Sequence, residues 1–322
     1  MLGPGAVHID LDRHVAQHLS KARGVEAVYC YDHAALKTFA VARERGIRCF
    51  YDLPIGYWRA FRALADEESH IHPEWAPLDP FGGLPEEMFL RKDAEIAAAD
   101  TIIVASSFTR KTLALAPVIK APIHVIPYGA PAVPDQPVFH EKSERLRVLF
   151  VGSLGIRKGL PYLLEAIGRL GRAVELTLIG RPDGACPPLD AALKTHRWIA
   201  SLPHREILRE MDRHDVLVFP SLFEGFGLVI LEALSRGMPV ITTANTAGPD
   251  ILEEGKDGFI IPIRSSDAIA EKLFLLHQDR ELLKDMSANA IAKAKRCEWR
   301  HFGAATVDLV AKSLEAGARN VV

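Results

Sequence analysis

Residues 219–240 read FPSLFEGFGLVILEALSRGMPV, and the rest of the chain is read against this stretch. Two glutamates, Glu224 and Glu232, stand eight positions apart, and Gly225 and Gly227 sit beside the first. Leu228 to Leu234 is an apolar helical segment, Gly237 stops it, and Pro239 leads into a strand. Packing alone does not ask for a carboxylate inside LVILEAL, because acids are rarely buried without a partner. The glycines let backbone amides approach a ligand, and the following helix aims its positive end at the same place. The stretch therefore reads as a grip on a polar, phosphorylated ligand. Plainer readings of Glu232 stay open: a satisfied buried acid, or part of an exposed stripe. The spacing of the two acids suits separate hydroxyl clusters on one long molecule. It suits less well the facing carboxylates of a glycoside hydrolase, about 5–9 Å apart.

Outward from this stretch the chain alternates strands and helices. Downstream, residues 239–243 read as a strand, 248–254 as a short helix, and GFIIPI as a last strand ending at Ile263. Helices are expected over 266–278, capped by Ser266 or Asp267, then over 279–296 and 299–316. Upstream, strands at 147–152, 174–180 and 215–219 are separated by helices at 159–170 and 188–197. The first 130 residues repeat the alternation. Strands are expected at 25–32, 47–54, 101–107 and 121–130, and helices at 7–23, 33–45, 57–68, 85–99 and 108–116. Residues 70–84 read as irregular. Between the halves, 131–145 is polar, carries Pro131, Pro134 and Pro137, and reads as a linker. Continuously apolar strands alternating with helices mean parallel sheets covered on both faces. The expectation is α/β: two doubly wound Rossmann-like domains facing a cleft, over 1–145 and 146–296. Ligands are expected at the carboxyl ends of the strands.

Three loops of the second half fall at such ends. VGSLGIRKG places Gly152, Ser153, Gly155, Arg157 and Lys158 just before a helix; the others are 180–184, starting at Gly180, and 220–227. Two cations beside helix amides make an anion site. A glycine turn with solvated basic residues is the plainer alternative. In the first half, Asp52 ends a strand and can cap the turn before Pro54. Asp32, His33, Ser106 and Ser107 are second candidates, and the two serines read equally as helix caps.

Composition narrows the classes. The 322 residues are 48% hydrophobic and 25% charged, ordinary for a soluble globular protein of about two domains. The net charge of −2 gives no electrostatic case for nucleic acid. Four scattered cysteines form no C-x-x-C pair, so neither a disulfide framework nor a zinc cluster is expected and a cytoplasmic setting fits. The N-terminus has acids where a signal peptide has basic residues, and no apolar run approaches the roughly 18 residues of a span. A peripheral contact with the inner membrane face stays open. His70 and His72 with Glu68 and Glu74 are the one metal-like grouping, placed in an expected loop. No metal is expected.

Four matches, VGSLGIRKG, LIGRPDG, PSLFEGFGLVILEALSRGMPVI and GPDILEEGKDGFIIP, resemble the donor-binding domain of family 4 (group 1) glycosyltransferases of the GT-B fold. The resemblance runs from about Arg147 to the end and weakly through the first half. It implies a retaining hexosyl- or related transferase. That enzyme moves a sugar from a UDP- or GDP-type donor to an unidentified acceptor, with no cofactor and no metal. It implies that Arg157 and Lys158 hold the diphosphate, with Ser153 standing where many members carry a further arginine. Glu224, Gly225, Phe226 and Gly227 would contact the sugar and phosphate. Leu228 and Val229 would present amides, Glu232 would accept the ribose hydroxyls, and 202–205, with Pro203, would lie near the base; Asp52 stands where members often carry a histidine and would serve as a base or orient the acceptor. It implies a C-terminal helix, 297–322, crossing back to the first domain, with Trp299 where that helix begins. The family's opening strand and glycine-rich loop have no counterpart here, so the first domain reads as shortened at its N-terminus. A nucleotide-sugar-binding protein that is inactive or partner-dependent is the alternative.

Overall fold

The structure is a computed structural model and describes residues 4–78, 85–135 and 144–319. In chain order the elements of the first half are α1 (Pro4–Leu19), β1 (Ala27–Tyr31), α2 (Leu36–Glu44), β2 (Arg48–Leu53), α3 (Trp58–Ile71), α4 (Glu86–Ala98), β3 (Thr101–Val104), α5 (Ser107–Thr112) and β4 (Ile123–Val125). Then come β5 (Leu146–Val151), α6 (Leu160–Leu170), β6 (Val174–Ile179), α7 (Pro187–Thr195), β7 (Arg197–Ile199), α8 (His204–Met211), β8 (Val216–Phe219) and α9 (Leu228–Ser235). The chain closes with β9 (Val240–Thr243), α10 (Gly248–Ile251), β10 (Gly258–Ile261), α11 (Ser266–Gln278), α12 (Arg280–Ala294) and α13 (Trp299–Arg319). They form two compact units: Met1–Ala60 with Gly83–Pro127 and Arg300–Val322, and Phe61–Gly82 with Tyr128–Trp299.

The first unit holds a parallel sheet in the order β1-β2-β3-β4. Every residue of β3 is buried, as is β2 after its first residue. That is why both read as continuous apolar runs rather than alternating ones. The core groups Phe50, Ile103 and Ile126, and Phe302, Leu309 and Val310 of α13 pack against it. These three positions fall on one helical face, so α13 completes this core.

The second unit holds a six-stranded parallel sheet in the order β10-β9-β8-β5-β6-β7. From β5 the chain builds outward one way through β6 and β7. It then returns to β5's other side and builds outward through β8, β9 and β10. The order reverses between β5 and β8. In open parallel sheets the crevice that receives a ligand forms at the carboxyl side of such a reversal.

Several sequence expectations shift. Strand β7 and helix α8 were not expected. Helix α3 runs to Ile71 and a 3₁₀ turn covers Pro73–Leu78, where an irregular stretch was expected. The cap of α11 is Ser265, whose hydroxyl accepts from the Ala268 amide at 3.1 Å, not Ser266 or Asp267. The linker's residues 136–143, Pro137 among them, and residues 79–84 lie outside the described residues.

Candidate functional site

Loops after β5 and β8 bring the predicted residues of the second unit together. After β5 the chain turns at Gly152 and makes a single 3₁₀ turn, Ile156–Lys158, before α6. Gly159 has a φ of +73°, and a Cβ there would run into the Pro220 carbonyl, so only glycine lets the β5 loop lie this close to the β8 loop. Backbone bonds lock the two loops: the Leu222 amide donates to the Arg157 carbonyl at 2.9 Å. Arg157 also donates to the Phe223 carbonyl at 2.8 Å.

On this frame Glu224 receives both cations. The Arg157 guanidinium lies 3.2 Å from one carboxylate oxygen, and the Lys158 ammonium pairs with the other. Lys158 also sits 4.8 Å from the centre of the Phe219 ring, a cation–π contact. Burial opposes the charge on Glu224, but Lys158 first and then Arg157 outweigh it and hold the carboxyl below its usual range. Burial pulls the Lys158 ammonium below its usual range, against the attraction of Glu224. A desolvated ion triad of this kind contributes little net stability, because desolvation cancels most of the attraction. What it supplies is fixed charge in a partly dry place.

Helix α9 begins beside this triad. Gly227, in left-handed backbone at φ +85°, is its N-cap residue, and no side chain caps it. The first-turn amides of Leu228 and Val229 therefore find no partner within the helix, and the helix dipole favours an anion there. Phe226 is buried against Tyr128 at 5.1 Å between ring centroids, which anchors the loop from below.

Glu232 lies one helical turn further on and is not part of an exposed stripe. It is half-buried and faces His204, the first residue of α8 after its N-cap Pro203, at 3.0 Å. The expected base-side segment, 202–205, is thus brought to the expected ribose-side acid. Gly180 ends β6; its amide bonds the Ile199 carbonyl at 3.0 Å and its own carbonyl accepts from the Trp198 indole at 2.9 Å. Ser153 is half-buried in the β5 loop, and Gly155 precedes the 3₁₀ turn.

Sequence reasoning missed the residues that hold the Glu224 loop. The Glu224 amide donates to the Asn245 carbonyl at 3.1 Å, and the Asn245 side chain donates to the Leu222 carbonyl at 2.8 Å. Thr243 donates to the Ser221 carbonyl at 2.6 Å, and Ser221 to the Arg157 carbonyl at 3.2 Å. The available signal was the polar run TTANT at the carboxyl end of β9.

Asp52 belongs to the other unit. It lies within β2, not in a turn, and its carboxylate accepts from the Tyr29 hydroxyl at 2.7 Å rather than capping the turn before Pro54. Burial, with Asp32 nearby and against the Tyr29 bond, pushes its carboxyl up to about 6. Asp32 is buried in an ion pair with Lys92 at 2.5 Å, and Ser106 is the cap of α5, accepting from the Thr109 amide at 3.1 Å. Glu68 of the metal-like grouping is taken by Arg264 and by the Tyr162 hydroxyl at 3.0 Å. Among the described residues no group of three or more His, Cys, Asp or Glu side chains could hold a metal ion. Nor is any described helix long and apolar enough to cross a membrane.

Fold and site together define a doubly wound α/β protein with an anion-ready loop pair at the point where its strand order reverses. Residues 134–293 match the family described as Glycosyl transferases group 1. Over 277 residues it is 28% identical to the sulfoquinovosyl transferase SQD2 of Arabidopsis thaliana, a match covering 80% of this chain and 53% of that protein. The chain spans about half or less of the length of the curated relatives it matches first. Among solved structures, the sucrose-phosphate synthase of Thermosynechococcus elongatus superposes with a TM-score of 0.74 at 18% identity, over 98% of this chain and 81% of that one. The Anabaena protein HepE, solved with UDP-glucose, gives 0.69 at 16% identity, over 94% and 82%. At these identities the likeness carries the fold, which is GT-B: two Rossmann-like units.

Proposed function

We propose that the chain is a glycosyltransferase that moves a sugar from a nucleoside diphosphate sugar to an acceptor hydroxyl with retention, and that it needs no metal to do so. The observation that carries the reading is the Glu224–Lys158–Arg157 triad beside the uncapped start of α9. Breaking the bond between sugar and diphosphate leaves charge on the departing diphosphate. Lys158, Arg157 and the amides of Leu228 and Val229 are fixed to receive that charge, so no reorganisation is needed as it develops. Glu224 orients the two cations, and its proposed partner is the transferred sugar. Glu232, with His204, offers acceptors to the ribose hydroxyls. On the first unit, Asp52 is the proposed group for taking up the acceptor's proton. A carboxyl pushed up to about 6 is well matched to that task near neutral pH.

HepE's complex with UDP-glucose makes a UDP-sugar the first donor to try. A thermal-shift screen against UDP-glucose and GDP-mannose tests the reading. A ligand at about 100 times its Kd stabilises the folded state by about 2.7 kcal/mol. The expected result is a raised melting temperature with one of the two, lost in Lys158→Ala. No shift with any nucleoside diphosphate sugar overturns the proposal. A shift without transfer to any acceptor would instead favour a binding protein, the second reading, which the chain's span of about half its relatives keeps in view.

A further inference from the structure

The second unit has another charged concavity, at the opposite edge of its sheet. The strands are parallel, so the starts of β5, β6 and β7 lie together at the amino edge, away from the loops that carry Lys158 and Glu224. A cavity of about 490 Å³ opens there, lined by Arg145, Arg147, Arg172, Arg197 and Arg213, with Glu175 as its lining carboxylate. Five guanidiniums around one concavity are not a reflection of composition, since the chain as a whole carries a net charge of −2.

The lining arginines outnumber the carboxylates described beside them. The buried carboxylate of Asp215 pairs with Arg147 at 2.5 Å and is also approached by Arg280 at 3.7 Å. The buried carboxylate of Glu210 serves Arg197 at 2.6 Å and Arg213 at 2.8 Å. Three carboxylates, Asp215, Glu210 and the lining Glu175, therefore face Arg147, Arg172, Arg197 and Arg213, an excess of one positive charge (4 − 3 = 1). Arg172 is exposed on the turn that leads into β6. The buried acids hold the forks of Arg147 and Arg197 in place, and each fork has more N–H donors than one carboxylate can use. His214 forms a rigid wall: one ring nitrogen meets the Glu210 carbonyl at 2.7 Å, the other the Thr177 hydroxyl at 2.9 Å.

We propose that this amino-edge cavity is a binding site for a phosphate-bearing small molecule, separate from the diphosphate-holding loops. Its volume is that of a small-molecule pocket, about 300–1,000 Å³, rather than of a flat patch for a macromolecule. Planar guanidinium forks match phosphate oxygens two at a time, which is the chemistry this excess of donors offers. Binding here can report on a phosphorylated metabolite without competing with the donor.

The experiment is calorimetric titration of orthophosphate and of glucose 6-phosphate into the wild-type chain, into Lys158→Ala and into Arg172→Ala/Arg213→Ala. These two arginines are exposed, and their loss leaves Asp215 paired with Arg147 and Glu210 paired with Arg197. The expected result is binding retained in Lys158→Ala and weakened about tenfold or more in the double arginine variant. If the double variant fails to fold by circular dichroism, Arg172→Glu alone must weaken binding. A tighter Kd for glucose 6-phosphate than for orthophosphate would identify a phosphorylated ester as the ligand, and equal values would identify free phosphate. The proposal is overturned if neither compound binds at about 10 mM. It is equally overturned if binding is lost in Lys158→Ala while the arginine variants bind as the wild type does. The nucleotide-sugar thermal shift must persist in the arginine variants, so failure here leaves the proposed function standing.

Discussion

Both units place charged side chains at the carboxyl ends of their parallel strands, but they use them differently. In the first unit, two buried acids are spent on the backbone. Glu95 of α4 accepts from the amides of His33, Ala35 and Leu36 at 2.9, 3.2 and 3.2 Å, which satisfies the start of α2 from another helix. Asp12 of α1 does the same for Lys37 and Thr38 at 2.9 and 2.8 Å. His33 sits at φ +68°, an uncommon backbone for a residue with a Cβ, and is held there by Glu95 on its amide and Arg91 on its carbonyl. Both acids also pair with Arg91, but in the second unit the Glu224 carboxylate is given to side-chain cations alone among the described residues, and the helix start beside it carries no side-chain cap. The same edge of the same kind of sheet is mortared in one unit and left with donors to offer in the other. Sealed helix starts build a fold; an unsealed one, next to paired charges, can bind an anion.

The most direct way to break this contrast is Lys158→Ala. The variant removes one cation but leaves Glu224 its bond to Arg157 at 3.2 Å. The expected outcome is a loss of sugar transfer on the order of 10³-fold, with a native circular dichroism spectrum, as for removal of one fixed donor from a developing charge. Full turnover would place the second unit's triad with the first unit's structural charges. Glu95→Ala is the converse test. It strips three amides, and Arg91 at 2.9 Å, of a partner that is fully buried. A loss of about 3–5 kcal/mol in urea unfolding is expected. A loss below about 1 kcal/mol would mean that water replaces the carboxylate and that the start of α2 is not sealed in the sense argued here.

How much of this was legible in the sequence follows from the range of each interaction. The loops after β5 and β8 stand out because an apolar strand gives way at once to glycine and charge, a change visible within eight residues. The strands of the second sheet were legible for the same reason, being buried on both faces. Strand β7 was not, because Arg197 and Trp198 are exposed at the sheet edge and carry no burial signal. The meeting of His204 with Glu232 depends on how α8 packs beside α9, and no local pattern encodes it. Nor does anything local mark the assembly of Phe61–Gly82 with Tyr128–Trp299, or show that Glu95 seals a helix some sixty positions earlier. Asp52 left two readings open from sequence, and the Tyr29 hydroxyl, 23 positions upstream, removes the turn-capping one.

Asp52 of the first unit fits neither pattern, and its titration sharpens the comparison. Among the described residues its carboxylate meets neither a backbone amide, as Glu95 and Asp12 do, nor a cation, as Glu224 does; it accepts from the Tyr29 hydroxyl. Burial therefore prevails and its carboxyl rises to about 6 in the folded chain, from 3.8. A raised folded value means that the folded state binds the proton more tightly. The stabilisation from that proton is fully present below the unfolded value, near pH 4. It is lost as pH rises through about 6 and stays lost above. In Asp52→Asn the amide oxygen still accepts from Tyr29 and no ionisation occurs. The variant is expected to match the wild type near pH 4 and to exceed it by on the order of 1–3 kcal/mol at pH 8, by denaturant unfolding at each pH. Transfer should fall in the same variant, because an amide cannot take up the acceptor's proton. Superimposable stability profiles would show that Asp52 is solvated and ordinary. A stabler variant with undiminished transfer would place Asp52, with Glu95, among the residues that only build the fold.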